Sequence, residues 1–148
     1  MRQIPVVFAA AVLLSACSQS ATEPSAARFT VTLALASSSV ASGEPLGWTV
    51  TVANAGNAAG RLDFSTGCQA NFLVRDGSGE VWNDKWVTLC VAALTHVDLG
   101  PGESAVYQGR WRQQTSAGAA PPGSYAAQGE LLTSPPIGSS AVSFAIRP

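Results

Sequence analysis

Charge is scarce in this sequence. Only 11% of the 148 residues are Asp, Glu, Lys or Arg, and eight basic against nine acidic side chains leave a formal net charge of −1. No basic stripe is available to neutralise phosphates, so a nucleic-acid footprint is excluded, and there is no acidic tail. Histidine occurs once, at His96, and methionine once, at Met1. One imidazole and two pairable cysteines cannot complete a tetrahedral zinc site, and without an internal methionine a blue-copper centre lacks its axial ligand. The Gly-x-Ser-x-Gly elbow and the Walker loop are both missing. A Ser-His-Asp triad would need His96, which stands beside a predicted strand and reads as a surface or structural residue. Asp63, Asp76, Glu80, Asp84, Asp98 and Glu103 fall mostly at turns and strand ends, where carboxylates are solvated. These absences predict a protein without metal or cofactor and without enzymatic machinery. There is no internal repeat and no heptad pattern.

What is present is apolar and turn-rich. Hydrophobic residues make up 47% of the chain, with four Trp, 14 Gly and 9 Pro. That composition excludes disorder and favours short strands joined by turns, in a chain long enough for one domain.

The N-terminus reads as a targeting segment. Arg2 is a short positive region, and residues 4–14 are an apolar run too short to span a membrane. It ends in Leu14-Ser15-Ala16-Cys17, which resembles a bacterial lipobox. Residues 1–16 are thus expected to be a lipoprotein signal peptide, with Cys17 lipidated and 17–27 a flexible tether. The remainder, 28–148, is the folded domain. The location this predicts is the bacterial cell envelope, lipid-anchored, facing outer membrane or periplasm in a Gram-negative host. With Cys17 assigned to lipid, Cys68 and Cys90 remain, and an exported chain is expected to join them. Closing that loop stabilises the fold by about 3 kcal/mol in the chain-entropy account. Two buried free thiols are the alternative.

From Arg28 onward the hydrophobic period is two. Phe29, Val31, Leu33 and Leu35 alternate with small or polar residues, as do Leu46, Trp48, Val50 and Val52. Shorter strands are predicted at 61–65, 71–76, 80–83 and 95–99, and longer ones at 105–111, 125–131 and 142–146. Asp76-Gly77-Ser78-Gly79 marks a hairpin that sets Phe72, Val74 and Trp82 across from one another. Residues 37–45 and 113–123 read as turn and loop, and 83–94 as an irregular segment with one helical turn. The pattern predicts an all-β, immunoglobulin-like antiparallel β-sandwich of about eight strands.

Two segments could carry recognition. Trp82 and Trp86 flank Asn83, Asp84 and Lys85 inside the Cys68-to-Cys90 loop, as a packed pair, a sugar-stacking platform or a protein hot spot. Ala120, Pro121 and Pro122 end a loop of small residues that would suit a protease cleft.

The order of residues also resembles a known family. Leu62-x-Phe64-Ser65-Thr66-Gly67-Cys68-Gln69, Phe72-x-Val74-x-Asp76-x-x-Gly79-x-x-Trp82, Leu99-Gly100-Pro101-Gly102-Glu103, then Tyr107, Trp111 and Pro122-Gly123-x-Tyr125 are similar to the BsuPI-like intracellular proteinase inhibitors. The resemblance runs from about Phe29 to Leu132. It implies an immunoglobulin-like fold and, as partner, a subtilisin-like serine protease. Two departures stand against a simple transfer: the exported N-terminus and the Cys68/Cys90 pair. The expected function is a membrane-anchored binding module resembling a subtilisin-type proteinase inhibitor. The alternative is a non-inhibitory envelope adaptor or a glycan- or protein-binding lipoprotein.

Overall fold

A computed structural model describes residues 25–148. The expected signal 1–16, Cys17 and most of the expected tether lie outside these residues. Ala26, at the end of that tether, is held: its N–H donates to Asn57 Oδ1 at 2.9 Å, and its carbonyl accepts from the Asn57 N–H at 3.2 Å.

The strands in chain order are β1 (Phe29–Leu35), β2 (Ser39–Ala41), β3 (Leu46–Asn54), β4 (Gly60–Phe64), β5 (Ala70–Asp76), β6 (Gly79–Asn83), β7 (Thr95–Leu99), β8 (Ser104–Trp111), β9 (Gln114–Thr115), β10 (Gly118–Ala119), β11 (Gly123–Leu131), β12 (Ile137–Gly138) and β13 (Val142–Arg147). A single 3₁₀ turn, Asp84–Trp86, follows β6. Among the described residues nine strands have five residues or more, against about eight expected. One sheet runs β1-β3-β8 and the other β2-β13-β11-β5-β6, with β12 on β11; β4 and β7 form a separate pair. The chain changes sheets after β1, since β2 pairs in parallel with β13.

The alternation read from the sequence becomes the core. On β3 the inward residues Leu46, Trp48, Val50 and Val52 are buried, and they meet Phe72 and Val74 of β5, Ala127 and Leu131 of β11, and Phe144 and Ile146 of β13. Each such side chain contributes about 1.5–3 kcal/mol by leaving water. The sheets are joined by the stack of Trp48 on Phe72, centroids 5.3 Å apart with planes at 6°. Farther along, Trp111 meets Tyr125 and Phe144 edge to face at 6.1 and 6.0 Å.

The last inward residue of β3 is polar. Asn54 is fully buried and uses its whole amide. Its Oδ1 accepts from the Arg28 and Gly56 N–H groups, and its Nδ2 donates to the Ala58 and Leu99 carbonyls. Buried amides are tolerated only when satisfied in this way, and here one side chain ties the start of β1, the turn after β3 and the end of β7.

Three departures from the sequence reading are local. The 37–45 turn contains β2, because Val40 is buried against the second sheet and pairs with Ile146. The 113–123 loop contains the β9–β10 hairpin. In the β5–β6 hairpin Val74 does oppose Trp82, but a register shift between Val74 and Arg75 bends the strand beyond it.

Gly109 pairs with Trp48 across β3 and β8, and a Cβ there would fall inside the indole ring's contact distance. Gly109→Ala is expected to lower stability by about 1–3 kcal/mol through overpacking, read as a lower urea midpoint at unchanged slope.

Candidate functional site

β6 is an edge strand, and its end sets up the segment 84–94. Asn83 is extended, its Oδ1 accepting the Lys85 N–H at 3.1 Å as a cap while its Nδ2 donates to Glu80 Oε1 at 3.0 Å. The Asp84 carbonyl accepts from the N–H groups of Val87 and Thr88 at 3.2 and 3.0 Å, closing the 3₁₀ turn. The Trp82 indole N–H donates to Asp84 Oδ1 at 2.8 Å. Lys85 Nζ lies 3.3 Å from Glu130 Oε2, which also accepts from Asn71 Nδ2 at 3.0 Å. Burial pushes the Asp84 carboxyl above the ordinary carboxylate range, against the opposing pull of the Trp82 donor.

The far side of the segment is tied covalently. Cys68 and Cys90 form a disulfide with Cα atoms 5.3 Å apart, and the Gly67 N–H donates to the Val91 carbonyl at 2.9 Å. Behind the disulfide, Gln69 accepts the Tyr107 hydroxyl at 2.9 Å and its carbonyl accepts the Leu132 N–H at 2.9 Å. A cavity of about 210 Å³ lies beneath, lined by Trp48, Cys68, Asn71, Asp84, Thr88 and Cys90 among others.

The five predicted residues Trp82, Asn83, Asp84, Lys85 and Trp86 therefore do come together. Trp82 and Trp86 meet edge to face, centroids 6.5 Å apart and planes at 68°. At that angle both rings cannot lie flat on one sugar, so the pair makes a poor glycan platform. What the sequence reading passed over is the stretch beyond. Trp86, Val87, Leu89, Val91 and Leu94 are exposed, and of the large apolar side chains exposed among the described residues only Val106 lies elsewhere. Their signal was visible, since 87–94 is rich in apolar residues with no period-two alternation to bury them.

The second predicted segment is built differently. Ala120 is only 2% exposed, and its N–H donates to the Gln113 carbonyl at 2.7 Å. It packs into the core, which leaves Pro121 and Pro122 on the surface. Gln113, buried and at φ 55°, donates from Nε2 to the Ala41 and Glu44 carbonyls and accepts the Gly43 N–H. The Trp111 indole donates to the Gln114 carbonyl, and the Tyr125 hydroxyl donates to the Pro121 carbonyl at 2.6 Å, the tyrosine corner common in immunoglobulin-like sandwiches. The disulfide of the first segment and the Pro121-Pro122 turn of the second stand at opposite ends of the sheet, with Trp82 between them, level with Ala127. β11 begins just after Pro122, and Leu132, just past its end, bonds to Gln69 beside the disulfide. Nine extended residues separate the ends by roughly 30 Å.

The sequence pattern of BsuPI, described as intracellular proteinase inhibitor, matches residues 27–136. The chain belongs to this family. The match covers most of the strands but ends before β13, which the structure adds to the second sheet. The family is one of inhibitors, and its partner class is a protease. Its description as intracellular overturns the expected lipid-anchored location on the bacterial cell envelope. That expectation rested on residues 1–17, ahead of the BsuPI match.

No curated protein matches the sequence. Among solved structures, similar folds occur in a β-glucosidase from Erythrobacter marinus (TM-score 0.50, 16% identity, 82% of this chain and 16% of that one) and a β-glucosidase from Listeria innocua in complex with glucose (TM-score 0.50, 15% identity, again 82% and 16%). A CARDB domain from Pyrococcus furiosus, solved in complex with di-metal ions, matches with TM-score 0.50 at 14% identity, over 84% of this chain and 97% of that one. At these identities the likeness is one of fold alone. The chain spans about a sixth of the glucosidases' length.

Replacing Cys68 and Cys90 together by Ser is expected to lower stability by about 3 kcal/mol, measured by denaturant unfolding without reductant. Asp84 is predicted to work in the opposite sense to a paired carboxylate. Its folded-state value is raised, so the site gains stability as pH falls from neutral through that raised value, and the gain is complete below the unfolded value. Asp84→Asn keeps an acceptor for the Trp82 indole and should flatten this dependence in thermal melts between pH 3 and 7, conditions that start below the ordinary Asp value of about 3.9. An unchanged profile would show that Asp84 does not cause it.

Proposed function

We propose that this protein inhibits a serine proteinase of the subtilisin type, docking on it through the segment 84–94. Membership in the inhibitor family supports the activity. One observation carries the choice of segment: nearly all the exposed large apolar side chains of the described domain are gathered there, on a loop held at both ends. A monomer rarely leaves such a patch uncovered unless a partner covers it. An inhibitor must also keep its contact segment in the bound shape, because ordering a mobile loop on binding subtracts from affinity. The 3₁₀ turn on one side and the disulfide on the other supply that restraint. The opposite end of the sandwich is as rigid, but around Pro121 and Pro122 it offers only small side chains.

The test is a titration of the described domain, residues 25–148, against subtilisin with a small chromogenic substrate. Stoichiometric loss of activity with the domain intact on a gel is the expected outcome. No loss, or rapid degradation, would refute inhibition of this class. The Cys68→Ser/Cys90→Ser variant should bind about tenfold or more weakly, which corresponds to ~1.4 kcal/mol. Equal inhibition by that variant would remove the disulfide from the argument.

A further inference from the structure

We propose that Leu89 is the side chain that enters the primary specificity pocket of the target protease, and that it restricts the target to enzymes whose pocket is large and apolar. The inference rests on the inhibitor reading above and assigns a residue within that segment.

Leu89 is 100% exposed, an extreme for a leucine in a disulfide-bonded loop. The other apolar residues of the patch have neighbours within the protein or lie farther from the tie. Trp86 rests edge-on against Trp82, and Val91 packs so closely over Gly67 that a Cβ at Gly67 would collide with it. The backbone beside Leu89 is nevertheless fixed on both flanks. On one side the Thr88 N–H is bonded to the Asp84 carbonyl at 3.0 Å; on the other, Cys90 is bonded to Cys68, and the Val91 carbonyl accepts from Gly67. An unsupported side chain on a supported backbone is what a cleft-binding residue requires: the ordering cost is met in the free protein, and the whole apolar surface is left to be buried in the complex.

The chemistry of Leu89 sets the selectivity. A branched four-carbon side chain fits an apolar slot and offers nothing to a pocket with a carboxylate at its base, which takes Arg or Lys. Shortening the side chain should cost binding in proportion to the methyl groups lost. A charge should cost far more, because it would be desolvated without a partner.

The experiment uses the intact domain and the variants Leu89→Ala, Leu89→Asp and Leu89→Arg, titrated against subtilisin, chymotrypsin and trypsin. The side chain makes no buried contact, so all three should fold with the parent's melting temperature. The parent is expected to inhibit the enzymes with large apolar pockets. Leu89→Ala should raise Ki about 10- to 200-fold, Leu89→Asp should abolish inhibition of those enzymes, and Leu89→Arg should move inhibition toward trypsin. If the parent inhibits and Leu89→Asp inhibits the same enzyme as tightly, the assignment of Leu89 is overturned while the inhibitor function stands. If the parent inhibits none of the three, the inhibitor reading for this class fails in the parent arm, and the assignment falls with it.

Discussion

The stack of Trp48 on Phe72 is the contact on which the remaining structure depends. It is the place where a side chain of the β1-β3-β8 sheet lies flat on one of the six-stranded sheet, and it sets how the two layers meet. Two absences of a side chain make it possible. Gly109 on β8 leaves room for the indole, and Gly129 on β11 leaves room for Val50, the next inward residue of β3. The same indole lines the cavity beneath the disulfide loop, beside Asn71 and Asp84. Core and candidate site therefore share a wall, the Trp48 indole.

The two ends of the sandwich solve the same problem, holding a long connection still, by different means. At one end the aromatic cluster of Trp111, Tyr125 and Phe144 anchors the loop from inside; Trp111 and Tyr125 donate to its Gln114 and Pro121 carbonyls, and Gln113 ties it to the Ala41 and Glu44 carbonyls of the neighbouring turn. That end keeps its anchors inside and shows small side chains and Pro121-Pro122 at its surface. At the other end the restraint comes from the edges, through a capped 3₁₀ turn and a disulfide, so the residues between point outward. Rigidity with apolar exposure is the combination expected of a surface that waits for a partner. The family description names a proteinase as the target of its members, without assigning it a surface.

The family's intracellular description and the disulfide draw attention to how the loop is restrained in different surroundings. Where thiols are kept reduced, a disulfide does not persist. The Asn83 cap, the Asp84 turn and the Gly67-to-Val91 hydrogen bond are non-covalent ties at the base of the same segment. The covalent tie adds restraint where oxidation allows it.

The sequence by itself determined the layers of this protein. Alternation at Leu46, Trp48, Val50 and Val52, or at Tyr125, Ala127, Gly129 and Leu131, is a local property: a pleated strand sends every second residue to one side, so the buried face is written in the order of residues. Turn chemistry at Asp76-Gly77-Ser78-Gly79 was legible for the same reason, whereas the Cys68–Cys90 pairing was reached by counting the cysteines left once Cys17 was set aside. Only the tertiary structure decided what depends on distant partners. β2 is a strand because Val40 finds β13, over a hundred residues away. Ala120 is buried although its neighbourhood reads as an exposed loop, because the core has a space for a methyl group there. The outward face of 84–94 was legible only in part: the missing alternation showed in the sequence, the exposure did not. Leu89, Val91 and Leu94 have the composition of core residues, and only the assembled sandwich, already filled by the two sheets, leaves them no interior to enter.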